Sequence, residues 1–333
     1  MSAAAGRRAA AALIACAAAA LGGCAAVSDR AQDMSLKALD PAPPVTTAAP
    51  AKQKPCPGTS VRSLAPSALP RPGHMPAGTF MRTIQDHRKL VVGVDQTSKG
   101  LGYFNPIKGR IEGFDIDVAR AVARAIFGRA SSRYIRYFAI STKQRESAIV
   151  EGKVDLVASA FSITCARRET MLFSSVYHRA QQKLLVPENS PVERLSDLRG
   201  QKVCATTGST SLDRLSTDEG VLPSTVPLRS DCLVKLQEGE VAAITSDDTI
   251  LFGFHEQDRR TKVLDACLGI ERYGLAINQA HREFVRFVNA VLARLRRNSE
   301  LARLREHWLP GLEQPTRAEI ARCDRNRTPG RPR

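Results

Sequence analysis

The stretch Val154–Tyr177, VDLVASAFSITCARRETMLFSSVY, decides the fold. Residues 154–159 form a short apolar run that predicts a buried strand. Ala160-Phe161-Ser162-Ile163-Thr164 follows, and then the cationic pair Arg167-Arg168. A strand end offering backbone N–H groups, a hydroxyl and an arginine in so few residues suits a carboxylate. The guanidinium is a planar fork matched to two carboxylate oxygens. The same residues also fit a strand followed by a solvated basic turn.

Outward from this stretch, strands and helices alternate. Before it come strands at Leu90–Val94 and Ile135–Ala139, a helix over 116–127 that Gly128 ends, and a short helix over 144–151 that stops at Gly152. The order βαβαβ with continuous apolar strands predicts a parallel sheet covered by helices. After it come strands at 182–187, 202–206, around Leu228 and at 241–245. A helical turn at 195–200 and helices to Leu215, over 231–238 and over 249–255 separate them. A strand at 273–277, an amphipathic helix over 283–297 and a shorter one up to Trp308 follow. The last twenty residues are expected to fray except near Cys323. The class is α/β, with two lobes in series and a return to the first, so a cleft lies between them. Ligands of open α/β sheets bind at strand C-terminal ends facing such a cleft.

The chain has 333 residues, which suggests two domains or one large one, and 43% of them are hydrophobic, enough for a sizeable core. Its formal charge of +16 is scattered rather than striped, which argues against a nucleic-acid partner and for a charged surface near an anionic membrane. Arg7 and Arg8 precede an alanine-rich apolar run, residues 9–21, too short to span a bilayer comfortably; residues 1–23 therefore read as a secretory signal. The ending Leu21-Gly22-Gly23-Cys24 resembles the lipobox of bacterial lipoproteins. It implies that Cys24 is acylated and holds the exported chain at the outer face of the cytoplasmic membrane. Residues 24–55 form a disordered tether, and residues 56–80 an extended arm pinned by Cys56. Six cysteines remain, which in an oxidising compartment predict three disulfides with fifteen possible connectivities. No Cys/His spacing suits a metal.

Four groups face the expected cleft. Ala160, Ser162 and Arg167 offer donors to a carboxylate. Gly208-Ser209-Thr210-Ser211 opens a helix and forms an anion site, or a plain N-cap. Asp247 ends a strand and either caps the next helix or meets an ammonium group. The loop from Asp95 through Tyr103 and Phe104 offers an acid and aromatics, or is an ordinary surface loop. Together they describe recognition of a free α-amino acid. Lys99 and Arg145 are candidates for an acidic or amide side chain, or are solvated cations.

The blocks VVGVDQ (91–96), IEGFDIDVARAVARAIFG (111–128), VDLVASAFSITCARR (154–168), KVCATTGSTSLDRL (202–215) and AITSDDTILFG (243–253) are similar to the solute-binding proteins of ABC importers for polar amino acids. In particular the chain resembles the exported glutamate/glutamine-binding lipoproteins of high-GC Gram-positive bacteria, over about residues 56–310. It implies the two-lobed type II periplasmic-binding-protein fold, with residues 56–182 and 274–323 in lobe one, 183–273 in lobe two and 324–333 a disordered tail. It implies a monomer without cofactor or catalysis that captures glutamate, glutamine, aspartate or asparagine for a membrane permease. Carried over, Ser162 and Arg167 bind the ligand α-carboxylate with Ser209 and Thr210. Asp247 and the carbonyl of Ala160 take the α-amino group. Asp95, Tyr103 and Phe104 close the first loop over the ligand. The resemblance also implies the disulfides Cys204–Cys232 and Cys56–Cys165, leaving Cys267–Cys323 as a third pair outside the family's pattern. One departure bears on the ligand: Thr206-Thr207-Gly208 replaces an Ala-Arg-Gly common in relatives. The lost cation favours an amide over an acid. A sensor passing its signal to a membrane partner would share the cleft. An enzyme on the same fold would need an acid or base facing a reacting bond; the six histidines are isolated and form no Ser/His/Asp set.

Overall fold

A computed structural model describes residues 62–217 and 220–326. The apolar leader, Cys24, the tether and Cys56 lie outside the described residues. The arm from residue 62 runs extended along the body. Asn289, itself buried, holds it by donating to Ser63 Oγ at 2.8 Å and Leu64 O at 2.6 Å.

In chain order the first elements are α1 (Phe80–Asp86), β1 (Leu90–Val94), β2 (Thr97–Ser98), β3 (Gly102–Asn105), β4 (Arg110–Glu112) and α2 (Phe114–Phe127). Gly128 ends α2 in the left-handed conformation, φ 79°, that a glycine adopts without strain. Then come β5 (Ile135–Ala139), α3 (Arg145–Val150), β6 (Leu156–Ala158), α4 (Cys165–Thr170) and β7 (Met171–Phe173). The middle of the chain holds β8 (His178–Pro187), β9 (Lys202–Thr206), α5 (Thr210–Leu215), β10 (Leu222–Val226), α6 (Arg229–Gln237), β11 (Ala243–Asp247) and α7 (Asp248–His255). It closes with β12 (Thr261–Val263), β13 (Gly269–Tyr273), β14 (Ala276–Asn278), α8 (Arg282–Arg297), α9 (Glu300–Trp308) and α10 (Arg317–Asn326).

One sheet has the order β5-β1-β6-β14-β7, and a second β10-β9-β11-β8-β12 with β13 also on β8. The cores β5-β1-β6 and β10-β9-β11 are parallel, as βαβ crossovers require. Neither sheet is parallel throughout, because β14 runs against β6 and β7, and β8 against β11. These antiparallel strands carry the chain between sheets: outward over residues 174–177 and back over 274–275. The two passages are bonded side by side, Ser174 N–H to Leu275 O at 2.9 Å and Tyr177 N–H to Tyr273 O at 3.0 Å. A single strand over 273–277 is thus replaced by two, one in each sheet. The break falls at Gly274, where a Cβ would stand 2.9 Å from Ile163.

Two further expectations change. The strand near Leu228 lies earlier, at β10, and Leu228 is the residue that precedes α6. The C-terminal segment forms α10, which extends three residues into the expected tail. It packs on β13 and is tied to the loop before it by Cys267–Cys323. Cys204–Cys232 joins β9 to α6. Cys165 is also disulfide-bonded. The amphipathic face of α8, Phe284, Phe287, Val288, Val291, Leu292 and Leu295, is buried against the first sheet's core.

Candidate functional site

The stretch after β6 is held under backbone strain. Ala160 has φ 43°, a left-handed conformation unusual for a residue with a Cβ. Its N–H donates to Asp115 Oδ2 at 2.7 Å, and Tyr177 donates to Asp115 Oδ1 at 2.7 Å. A buried acid at the head of α2 therefore fixes the turn that aims Ser162 and its neighbours. Burial pushes the Asp115 carboxyl up from its ordinary range.

A small cavity lies where the two sheets face each other, about 290 Å³ counting the space open to solvent. Arg145, Ala160 and Ser162 border it from the first sheet's side, and Ser209, Thr210, Arg229 and Asp247 from the second's. Of the residues singled out in the sequence, it gathers Arg145, Ala160, Ser162, Ser209, Thr210 and Asp247. Arg167 stands beside it. Its guanidinium donates to Ser162 O at 2.8 Å, to Gly208 O at 3.0 Å and to Glu146 at 3.2 Å. Arg145 reaches the same Gly208 carbonyl at 3.2 Å and also donates to the carbonyls of Thr142, Ser159 and Ala160. Both guanidiniums lie over the ring of buried Phe161, at 4.2 and 4.7 Å from its centroid. Burial, with Arg167 and Arg229 close by, holds Arg145 well below the ordinary arginine range. Two cations converging on one carbonyl oxygen define a place where a full negative charge would be better stabilised than a dipole.

The opposite wall carries the acid. Asp247 occupies the N-cap position of α7, yet its side chain makes no capping bond. Its Oδ2 accepts from Tyr273 Oη at 2.5 Å. Burial, then the charge of Glu271, raises its carboxyl to about 8. Ser209 does cap: its hydroxyl oxygen accepts from Leu212 N–H at 3.1 Å, and its proton is left to donate.

The remaining expected residues are not brought to the cavity. Lys99 donates to Glu256 O at 3.4 Å. Tyr103 and Phe104 sit on the small antiparallel sheet β2-β3-β4, and Phe104 is 45% exposed. Asp95 stands behind the wall, 3.1 Å from Arg229.

Arg229 was not legible as a site residue. It is 3% exposed, opens α6, and bonds Thr142, Ser98 and the Ser159 carbonyl across the cleft. The only trace in the sequence is a lone arginine two residues before the expected helix start. Ser211, from the expected helix start, also lines the cavity, and Thr206 and Ser246 do so without having been singled out as site residues. Among the described residues, no group of three or more acids, histidines or cysteines is placed to hold a metal ion, and no helix is long and apolar enough to cross a membrane.

The chain can now be set beside known proteins. It is 28% identical over 232 residues to the ABC transporter glutamine-binding protein GlnH of Bacillus subtilis, covering 69% of this chain and 84% of that one. It is 31% identical over 252 residues to the glutamate-binding protein GluB of Corynebacterium efficiens, covering 71% and 84%. Among solved structures, a mutant of ArgBP from T. maritima superposes with a TM-score of 0.64 at 23% identity, over 68% of this chain and 98% of that one. That agreement establishes the two-lobed type II periplasmic-binding fold. The family model matches residues 90–311, from the first strand to just past α9, and on that match the chain belongs to the bacterial extracellular solute-binding proteins, family 3.

Proposed function

We propose that this protein is an exported lipoprotein, anchored through Cys24, that captures a free polar amino acid for an ABC importer. The candidates are glutamate, glutamine, aspartate and asparagine. The observation that carries the reading is the facing of unlike groups across one cavity, the guanidiniums of Arg145 and Arg167 on one side and the carboxyl of Asp247 on the other. A zwitterion has the matching charges a few ångströms apart. The names of the relatives, glutamine-binding and glutamate-binding, support the ligand class.

In this reading the ligand α-carboxylate displaces the Gly208 carbonyl as the partner of Arg167, with Ser162 and the start of α5 at Ser209 and Thr210 as further donors. The ammonium group meets Asp247. The Ala160 carbonyl, which accepts from Arg145 at 3.2 Å, is the secondary acceptor. Arg145, with Arg229 also in the lining, faces the side chain. The part built on the first sheet and the part built on the second would move as two lobes about the paired passages at 174–177 and 274–275. A ligand that touches both lobes stabilises the closed arrangement.

The test is a thermal-shift and calorimetric screen of the mature domain against the twenty amino acids, repeated with Arg167→Ala. A ligand of the folded state raises the melting temperature by mass action. The variant should lose about 2–4 kcal/mol of binding, the scale of a buried charge-assisted contact left unmade. Absence of a shift with every amino acid would sink the proposal. Wild-type affinity in the variant would remove Arg167 from the site.

A further inference from the structure

We infer that Arg229 is the residue that reads the ligand's side chain and that it selects a second carboxylate over an amide. The inference rests on the amino-acid-binding reading above and goes beyond it.

The cavity lining holds two guanidiniums, Arg145 and Arg229, and Arg167 stands at its edge. A neutral zwitterion supplies one anion, which Arg167 and the start of α5 can take. A second cationic group then faces whatever the side chain carries. Arg145 is committed through its hydrogen bonds to the carbonyls of Thr142, Ser159, Ala160 and Gly208, and Asp247 and Asp95 act on its charge, so Arg229 is the other lining guanidinium.

Arg229 is also built to stay in place. Its Nε donates to Thr142 Oγ1 at 3.2 Å, its Nη1 to Ser98 Oγ at 3.1 Å and its Nη2 to Ser159 O at 3.0 Å. Asp95 holds it from behind at 3.1 Å. A guanidinium clamped on several sides is pre-organised, so it loses little freedom when a ligand arrives. Arg229 and Thr142 further separate the cavity from a neighbouring groove of about 450 Å³, counting open space, which Asp95, Gln96 and Leu228 also line. They therefore form the wall shared by the two hollows, and the ligand's side chain is taken to lie against it. The Thr206-Thr207-Gly208 turn lacks an arginine, but α6 brings one to the same cavity from another part of the chain. The cation is relocated, and the expectation of an amide ligand reverses.

The experiment is calorimetric titration of the wild type and of Arg229→Gln with L-glutamate, L-glutamine, L-aspartate and L-asparagine. The wild type should prefer one acid over its own amide by tenfold or more. In Arg229→Gln that ratio should fall to about one or invert, whatever happens to the absolute affinities as Asp95 loses its partner. Arg229→Lys, which keeps the charge, should retain a preference for the acid. A wild type that favours the amide overturns the inference even if no variant folds, and so does an unchanged ratio in Arg229→Gln; both leave the amino-acid-binding reading standing. Failure of the wild type to bind any of the four removes this inference, and the twenty-amino-acid screen then decides whether the broader reading falls with it.

Discussion

Asp247 heads a helix without capping it, and its carboxyl is raised to about 8 by burial and by Glu271. In the proposed reading, an ammonium group that meets Asp247 must expel the proton its carboxyl holds at neutral pH. Calorimetry of amino-acid binding at pH 7, in buffers of different ionisation enthalpy, should report close to one proton released. Affinity should climb by up to about tenfold per pH unit between about 6 and 8 and level off above. Buffer-independent enthalpies would refute the assignment. Stability of the unliganded protein moves the other way. The folded pKa lies above the unfolded value near 4, so this group's contribution is complete below about pH 4 and is lost as pH rises through about 8. Asp247→Asn should flatten that part of the pH–stability curve. His178 has the opposite sign. Burial lowers it to about 3, so its neutral form is required and stability is lost as pH falls below about 6.5, by up to about 1.4 kcal/mol per unit. His178→Asn should retain more of its neutral-pH stability at pH 5 than the wild type does. At this scale the sequence was informative where a residue ends an apolar run, as Ser162 and Asp247 do. It was silent where burial depends on a distant partner. Nothing near Arg229 in the chain announces Asp95, Ser98 or Thr142, and a buried arginine reads like a solvated one.

Elements explain which expectations held. The strands β1, β5 and β9 were legible to the residue because each is a short stretch rich in apolar or aromatic residues bounded by polar or turn residues. The split of the 273–277 run was not, because both halves are apolar and the break serves packing around Gly274. The aromatic pair Tyr103 and Phe104 suggested a lid; a hairpin pattern over 97–112 makes it part of a three-stranded sheet instead. The helix α7 offers a test of how the lobes meet. Gly253 packs against the Lys99 loop so closely that a Cβ would lie 2.4 Å from the Lys99 carbonyl. Alanine favours helix by about 1 kcal/mol over glycine, so Gly253→Ala should leave folding intact while blocking this contact. The expected result is a Kd at least about tenfold higher, about 1.4 kcal/mol, with an unchanged or higher melting temperature. Unaltered affinity would show that α7 and the Lys99 loop need not meet during binding.

At the scale of the molecule, two adjacent passages join the sheets, at 174–177 and 274–275, and the order of the elements implied a return to the first lobe. A third connection was not implied. Beyond α9 the chain leaves the first sheet's core at Leu309 and Leu312. Gln314 then bonds the backbone of Arg179, and α10 seats on β13, where Cys323 joins Cys267. The disulfide spans 56 residues, a loop whose closure is worth about 4 kcal/mol in the chain-entropy picture. Cys323→Ser should accordingly lower the melting temperature. In the absence of ligand it should also give a larger radius of gyration by small-angle scattering. The covalent loop from Cys267 to Cys323 threads both halves of the protein, so it acts as a leash on how far they can swing apart. The leash is only as durable as its sulfur–sulfur bond: in a reducing medium the same polypeptide would gape wider, and each bound solute would find a looser jaw to escape from.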